Sequence, residues 1–188
     1  NVATNSLTSL TNLLGEGSIN EGLEVIPHSN GEDYWVLVNT SDQKLKSFLF
    51  SKTTGFNPSA ISSTDVSDLP GVDPNSVATN SHISWDPNSP GKILVSRHNK
   101  IGLVNFNPST GTIGEWNVKI MVTTGNADND SNIGYSAALS SNGQYIYYVA
   151  ESNNLMAYNL QTSSSMQVGT IPYLTGIKLG PDGKLYGV

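Results

Sequence analysis

The loop "GNADNDSN", Gly125 to Asn132, sets Asp128, Asn129 and Asp130 side by side. Carboxylate and amide oxygens are the hard donors that Ca2+ takes, so this triplet is the candidate metal site, with Ca2+ the candidate cofactor. It lacks the alternating ligands and distant bidentate Glu of an EF-hand, and a solvated loop is the alternative reading. "DPNSPG", Asp86 to Gly91, also offers oxygens, but Pro87 and Pro90 make a rigid turn the better account. His28, His82 and His98 fall in or beside polar turns or strand edges and share no H-x-x-x-H spacing, which reads as surface or turn-packed imidazole.

Nucleophilic catalysis needs a serine, a base and a third group to orient the base. Serine is abundant, yet no G-x-S-x-G elbow occurs, and three dispersed histidines nominate no triad. Fifteen acids supply many carboxylate pairs, and spacing selects none of them. Aromatic platforms remain. Trp85, beside the "DPNSPG" turn, and Trp116, in an expected outer strand, are the candidate ligand-binding residues for sugar or protein. Burial in a sheet stack is the competing reading for both, and is the expectation for Trp35 and Tyr147.

The elements that would position these residues repeat. Polar turns end near Gly31, Gly91, Gly143 and Gly183, which stand 60, 52 and 40 residues apart, and each is followed by a run rich in β-branched and aromatic residues. A second turn ends at Gly55, Gly111 and Ser163, lying 24, 20 and 20 residues beyond the first three glycines. Phe50, Phe106 and Tyr158 occupy one place in each unit, where they are expected in the core. Periods of about 40 to 50 residues mark propellers and related arrays.

Composition agrees. Eighteen Gly, nine Pro and only 13% charged residues argue against long charged helices, while 37% hydrophobic residues over 188 positions suffice for one core. The net charge of −6, with scattered Lys and Arg, leaves out a nucleic-acid footprint. No apolar run reaches the roughly 18 residues needed to span a bilayer. Absence of cysteine removes disulfides and thiolate zinc sites. Asn39-Thr40-Ser41 and Asn129-Asp130-Ser131 match the glycosylation sequon at a frequency that chance explains.

The expected fold is therefore all-β, a β-propeller with WD40-like or YncE-like blades, incomplete at about three to four blades. Residues 1–20 form an N-terminal segment or loop, with Leu7, Leu10, Leu13 and Leu14 hinting at a helix, and 21–188 the partial propeller. Its units run over about 22–68, 80–124, 134–168 and an unfinished 176–188. A chain that stops in mid-strand at Val188 reads as a piece of something larger.

The segment Gly31, Asp33, Tyr34, Trp35, Val36, the turn-strand from Ser140 to Tyr147 and the ending from Leu179 to Tyr186 carry a resemblance. In order and spacing they resemble the propeller-like repeat region of large secreted surface proteins of Bacteroidetes-type bacteria, which often end in gliding-motility-associated or type IX secretion sorting domains. The resemblance implies a secreted, cell-surface location and a non-enzymatic module for adhesion, with a protein or glycan partner and secretion-machinery components as further contacts. No nucleic acid and no membrane span are expected. The alternative is a propeller hydrolase, lactonase-like or glycan-cleaving, with a metal or carboxylates at the channel. A third reading is a partly ordered passenger of a secretion apparatus.

Overall fold

The computed structural model describes residues 19–66, 81–97, 100–121, 136–150, 154–174 and 176–187. Among these residues every regular element is a strand, and all pairing is antiparallel. The first sheet contains β1 (Ile19–Pro27), β2 (Tyr34–Thr40) and β3 (Lys44–Ser51), with the short β4 (Gly55–Phe56) and β5 (Ser62–Asp65) both on the far edge of β3. The second is a meander of β6 (Ser81–Trp85), β7 (Lys92–Arg97), β8 (Lys100–Phe106) and β9 (Ile113–Met121). The third repeats it with β10 (Ala137–Leu139), β11 (Tyr145–Ala150), β12 (Asn154–Asn159) and β13 (Ser164–Thr170). A two-stranded sheet of β14 (Ile177–Leu179) and β15 (Leu185–Gly187) follows.

Alternation along each strand sends successive side chains to opposite faces, so each sheet can bury both. Trp35 and Leu37 of β2 join Ile83, Ile93, Val95 and Val104 in a core between the first and second sheets. Leu94 and Ile101 face the other way and meet Ile146, Tyr148 and Tyr158 of the third sheet. Ala138 and Val149 then pack on Leu174 and Ile177. The first strands β1, β6, β10 and β14 stand next to one another in that order, as the inner strands of successive blades do.

Serine hydroxyls clip the sheets together. The Gly22 N–H of β1 donates to Ser81 Oγ of β6 at 3.1 Å. Ser47 Oγ of β3 donates to the Gly111 carbonyl at 2.6 Å, and Ser62 Oγ accepts from the Ile113 N–H at 3.0 Å. Ser136 Oγ, just before β10, bridges both backbone groups of Ile177, at 3.0 Å each. Neutral hydroxyls can be buried in such bonds at far lower cost than charges, which accounts for a serine-rich, charge-poor sequence.

The repeating turns are as expected. The first-turn hydrogen bonds His28 N to Asp33 O, Ser140 N to Tyr145 O and Gly180 N to Lys184 O recur in three units. Gly31, Gly55, Gly111, Gly143 and Gly183 have positive φ, and Ser163, standing where the other units have glycine, is held at φ 54°. Gly91 departs from the pattern. Its turn is organised by Asp86, whose Oδ1 accepts from the Asn88 N–H at 3.0 Å, and no left-handed residue is required there.

Phe50 corrects the expectation of a common core position. Phe106 and Tyr158 are 4% and 9% exposed because each faces the preceding sheet, whereas Phe50 is 45% exposed on a flank of the first sheet against which no described sheet packs. The first unit also holds β4 and β5, and β1 begins at Ile19, ahead of the expected start of that unit near residue 22. Asn39, within one sequon, is fully buried in the fold. The hinted N-terminal helix lies outside the described residues.

Candidate functional site

The inner strands bring together three ionisable side chains that sequence spacing does not connect. Glu24 lies on β1, His82 on β6 and Lys178 on β14. Glu24 shares a face of β1 with Gly22 and Ile26, the face turned to the second sheet, and its carboxylate accepts the backbone N–H of Trp85. Burial pushes the Glu24 carboxyl above its ordinary range, against the pull of the Lys178 ammonium and the Val25 and Trp85 N–H groups. Burial also pushes His82 down, and Lys178 pushes it further in the same direction. A single ammonium thus acts on both groups across the inner strands.

Chemically, Lys178 acts on a carboxyl biased toward its neutral acid and on an imidazole biased toward its neutral base, neither of which owes its shift to the other. Such opposed bias is what acid–base sites use, although buried structural groups are perturbed in the same way. Among the described residues no group of three His, Cys, Asp or Glu side chains is placed to hold a metal ion.

The second feature lies on the outer part of the second sheet. A groove of about 830 Å³ is lined by Lys92, Leu103, Asn105, Glu115 and Asn117, with Trp116 and Leu160 completing the apolar part of its wall. The register of β8 against β9 sets it: Leu103 pairs with Asn117, Val104 with Trp116, and the shift between Val104 and Phe106 displaces the strand beside Glu115. Leu160 enters from the third sheet, just beyond β12, so the groove spans two units.

The sequence candidates fall as follows. Trp116 is half-buried and packs at the margin of the first core. Its indole N–H is buried without an acceptor and sits over Gly102, where a β-carbon would come within 2.5 Å of it. Trp85 is likewise half-buried against that core, its Nε1–H donating to the Pro90 carbonyl at 3.3 Å. Trp35 is core, stacked on His28 at 5.1 Å and donating to the Pro108 carbonyl at 2.8 Å. Tyr147 is half-buried against the third core. Asp128, Asn129, Asp130 and His98 lie outside the described residues.

Glu24 and Lys178 were not singled out by sequence reasoning, and His82 was read as peripheral. The available signal was the repeat itself, since a polar residue within the first strand of a unit borders the axis.

No protein-family model matches the chain, and no curated protein is significantly similar to it. Solved structures do share its fold. A candidate 6-phosphogluconolactonase from Bacteroides uniformis superposes with a TM-score of 0.56 at 15% identity, covering 87% of this chain and 49% of that one. The C-terminal WD40 domain of Sif2 superposes with a TM-score of 0.51 at 10% identity, covering 92% of this chain and 47% of that one. The fold is that of the β-propellers, and the chain spans about half the length of each of these two.

Proposed function

We propose that this chain is a non-enzymatic β-propeller module of a secreted cell-surface protein, carried by the type IX route, and that it serves adhesion by binding a glycan or protein segment in the groove of the second sheet. The groove carries this reading. Lys92, Asn105, Glu115 and Asn117 set hydrogen-bonding groups around the apolar surface of Leu103, Trp116 and Leu160, the mixture that sugar rings and extended peptides require. The resemblance of the repeats to secreted surface proteins supports the location and the route.

A titration of intrinsic tryptophan fluorescence with a panel of neutral and acidic oligosaccharides tests it. A saturable change that is lost in Glu115→Ala and Asn117→Ala, with unchanged unfolding curves, is expected. A response that survives both substitutions would place binding elsewhere.

A second reading, a hydrolase acting at the channel, has a specific observation in its favour in the Glu24 and His82 pair. One of the propellers of similar fold is described as a candidate 6-phosphogluconolactonase. In this reading Glu24 donates a proton to the leaving oxygen and neutral His82 removes one from the attacking water. Turnover of simple lactones or aryl esters that is abolished by both Glu24→Gln and His82→Asn would replace the binding reading.

A further inference from the structure

Strand register places the charges of the second-sheet groove. Lys92 of β7 pairs with Asn105 of β8, which lies beside Gly114 and so level with Glu115 of β9. The next row along the same face pairs Leu103 with Asn117. Lys119, which also lines the groove, falls in a register shift: Val118 pairs with Gly102 and Ile120 with Ile101, so Lys119 is the extra residue of a bulge, a device that re-aims a side chain. At about 3.3 Å per residue, the rows of Lys92 and Lys119 stand roughly 13 Å apart along β9. The two ammoniums thus belong to opposite ends of the groove, with Leu103 and Leu160 between them.

These polar groups are not used inside the chain. Among the described residues, the ammoniums of Lys92 and Lys119, the Glu115 carboxylate and the side-chain amides of Asn105 and Asn117 make no hydrogen bond or ion pair. Other exposed lysines are taken up, Lys52 by Glu32 at 2.8 Å and Lys184 by Asp182 at 3.4 Å. Nor is charge a general property of clefts between sheets. The cleft of about 320 Å³ between the third sheet and β14–β15, lined by Ser140, Asn142, Tyr145, Tyr147 and Leu185, carries no charged side chain.

We infer that the ligand of the groove is an acidic oligosaccharide, its carboxylates met by Lys92 and Lys119 and its hydroxyls by Asn105, Glu115 and Asn117. The inference rests on the groove reading above and names its substrate class. Two bases against one acid make the groove locally positive on a chain of net charge −6, so overall composition does not account for it. From a carboxylate an uncommitted ammonium gains Coulombic attraction as well as a hydrogen bond; from a neutral hydroxyl it gains the hydrogen bond alone. A peptide strand is the poorer occupant. Strand addition needs a regular free edge, and β9 is interrupted by two register shifts, one at Lys119 and one between Ile113 and Trp116. The free groups are instead side chains on the strand face, which suit ring hydroxyls and carboxylates.

Calorimetric titration of the full chain with oligogalacturonate and with its methyl ester, which keeps the sugar chain and removes the charge, decides the matter. The acid form is expected to bind about tenfold tighter than the ester, with the difference shrinking as salt rises. Lys92→Gln and Lys119→Gln should each weaken binding of the acid form by about three- to tenfold and leave the ester unchanged. Lys52→Gln removes the same charge outside the groove and should leave both titrations unchanged. Equal affinity for acid and ester, an acid preference that survives both groove substitutions, or an equal loss in Lys52→Gln overturns the acidic class and leaves the groove reading in place. Absence of binding by the acid form also overturns it; the groove reading then stands only if a neutral oligosaccharide binds and that binding is lost in Asn117→Ala.

Discussion

Substituting the turn glycines separates backbone strain from packing, because left-handed turns of like backbone differ in what surrounds them. Gly111 has φ 72°, donates its N–H to the Asn107 carbonyl at 2.8 Å, and offers its own carbonyl to Ser47 of the first sheet. A β-carbon there would overlap the ring of Trp35. That ring cannot readily withdraw, being tied to Pro108, stacked on His28 and edge-on to Phe106. Gly111→Ala therefore costs about 1–2 kcal/mol for a left-handed residue with a side chain and about 1–3 kcal/mol for overpacking. At Gly31, φ 75°, nothing lies within 4 Å of the added carbon, so Gly31→Ala bears the backbone cost alone. Ser163→Gly runs the other way: relief of about 1–2 kcal/mol of left-handed strain, less about 0.5–1 kcal/mol for the freer unfolded chain, leaves a gain of up to about 1.5 kcal/mol. Urea unfolding followed by tryptophan fluorescence, read as midpoints at constant slope, measures all three. If Gly111→Ala is no costlier than Gly31→Ala, Trp35 is not seated on that turn; if Ser163→Gly destabilises, the turns are not equivalent and the repeat reasoning fails.

Ser136→Ala leaves both backbone groups of Ile177 unsatisfied in a buried setting, so it destabilises by about 2–4 kcal/mol and, in hydrogen exchange, loses protection first over β14 and β15. Trp35→Phe keeps most of the core volume and removes one of two donors to the Pro108 carbonyl, which retains the Ser29 N–H at 3.1 Å, so it costs about 0.5–1.5 kcal/mol in urea unfolding, and a much larger loss would mean that the indole also holds the turn by its packing. For pH, folding lowers the His82 value from 6.5, so the unfolded chain binds the extra proton and stability falls as pH drops below about 6.5 toward the folded value. Glu24 has the opposite sign, its value being raised from 4.5, so its burial costs stability as pH rises above about 4.5. Melting temperatures at about pH 7.5 and 5.5 should drop less on acidification in His82→Gln than in the unmodified chain, and on raising the pH from about 4.5 Glu24→Gln should lose part of the decline that the carboxyl imposes; curves unchanged by either substitution would remove burial as the cause.

The propeller architecture was legible because its signals are local. Turn glycines, β-branched runs and a recurrent spacing act within a few residues, and the runs read after Gly31, Gly91, Gly143 and Gly183 are the strands β2, β7, β11 and β15. Where the chain departs from the local rule, sequence was blind. Phe50 looks the same as Phe106 along the chain, and what separates exposed from buried is whether a described sheet packs against it. β5 carries the sequence "SSTD", with no apolar pattern, because its strand character comes from pairing to β3 and from Ser62 holding Ile113. Glu24, His82 and Lys178 are more than fifty residues apart at each step. Their association is a property of the arc, which no spacing rule encodes.

The arrangement of charge argues for where function should be sought. Between sheets, the contacts described above rely on apolar side chains and on serine clips, while the buried cations Arg97 and Lys100 sit side by side at the β7–β8 end. An ion pair there would have to overcome a desolvation penalty of several kcal/mol per charge. Against that background, a carboxyl and an imidazole held half-buried on adjacent inner strands are not needed to join blades, since Gly22 and Ser81 already do so at the same place. Replacing Glu24 by Gln and His82 by Asn together should therefore leave the unfolding midpoint at neutral pH unchanged or slightly raised. A large loss of stability in that double variant would show instead that the pair is a structural clip, and would leave the groove beside Trp116 as the site to pursue.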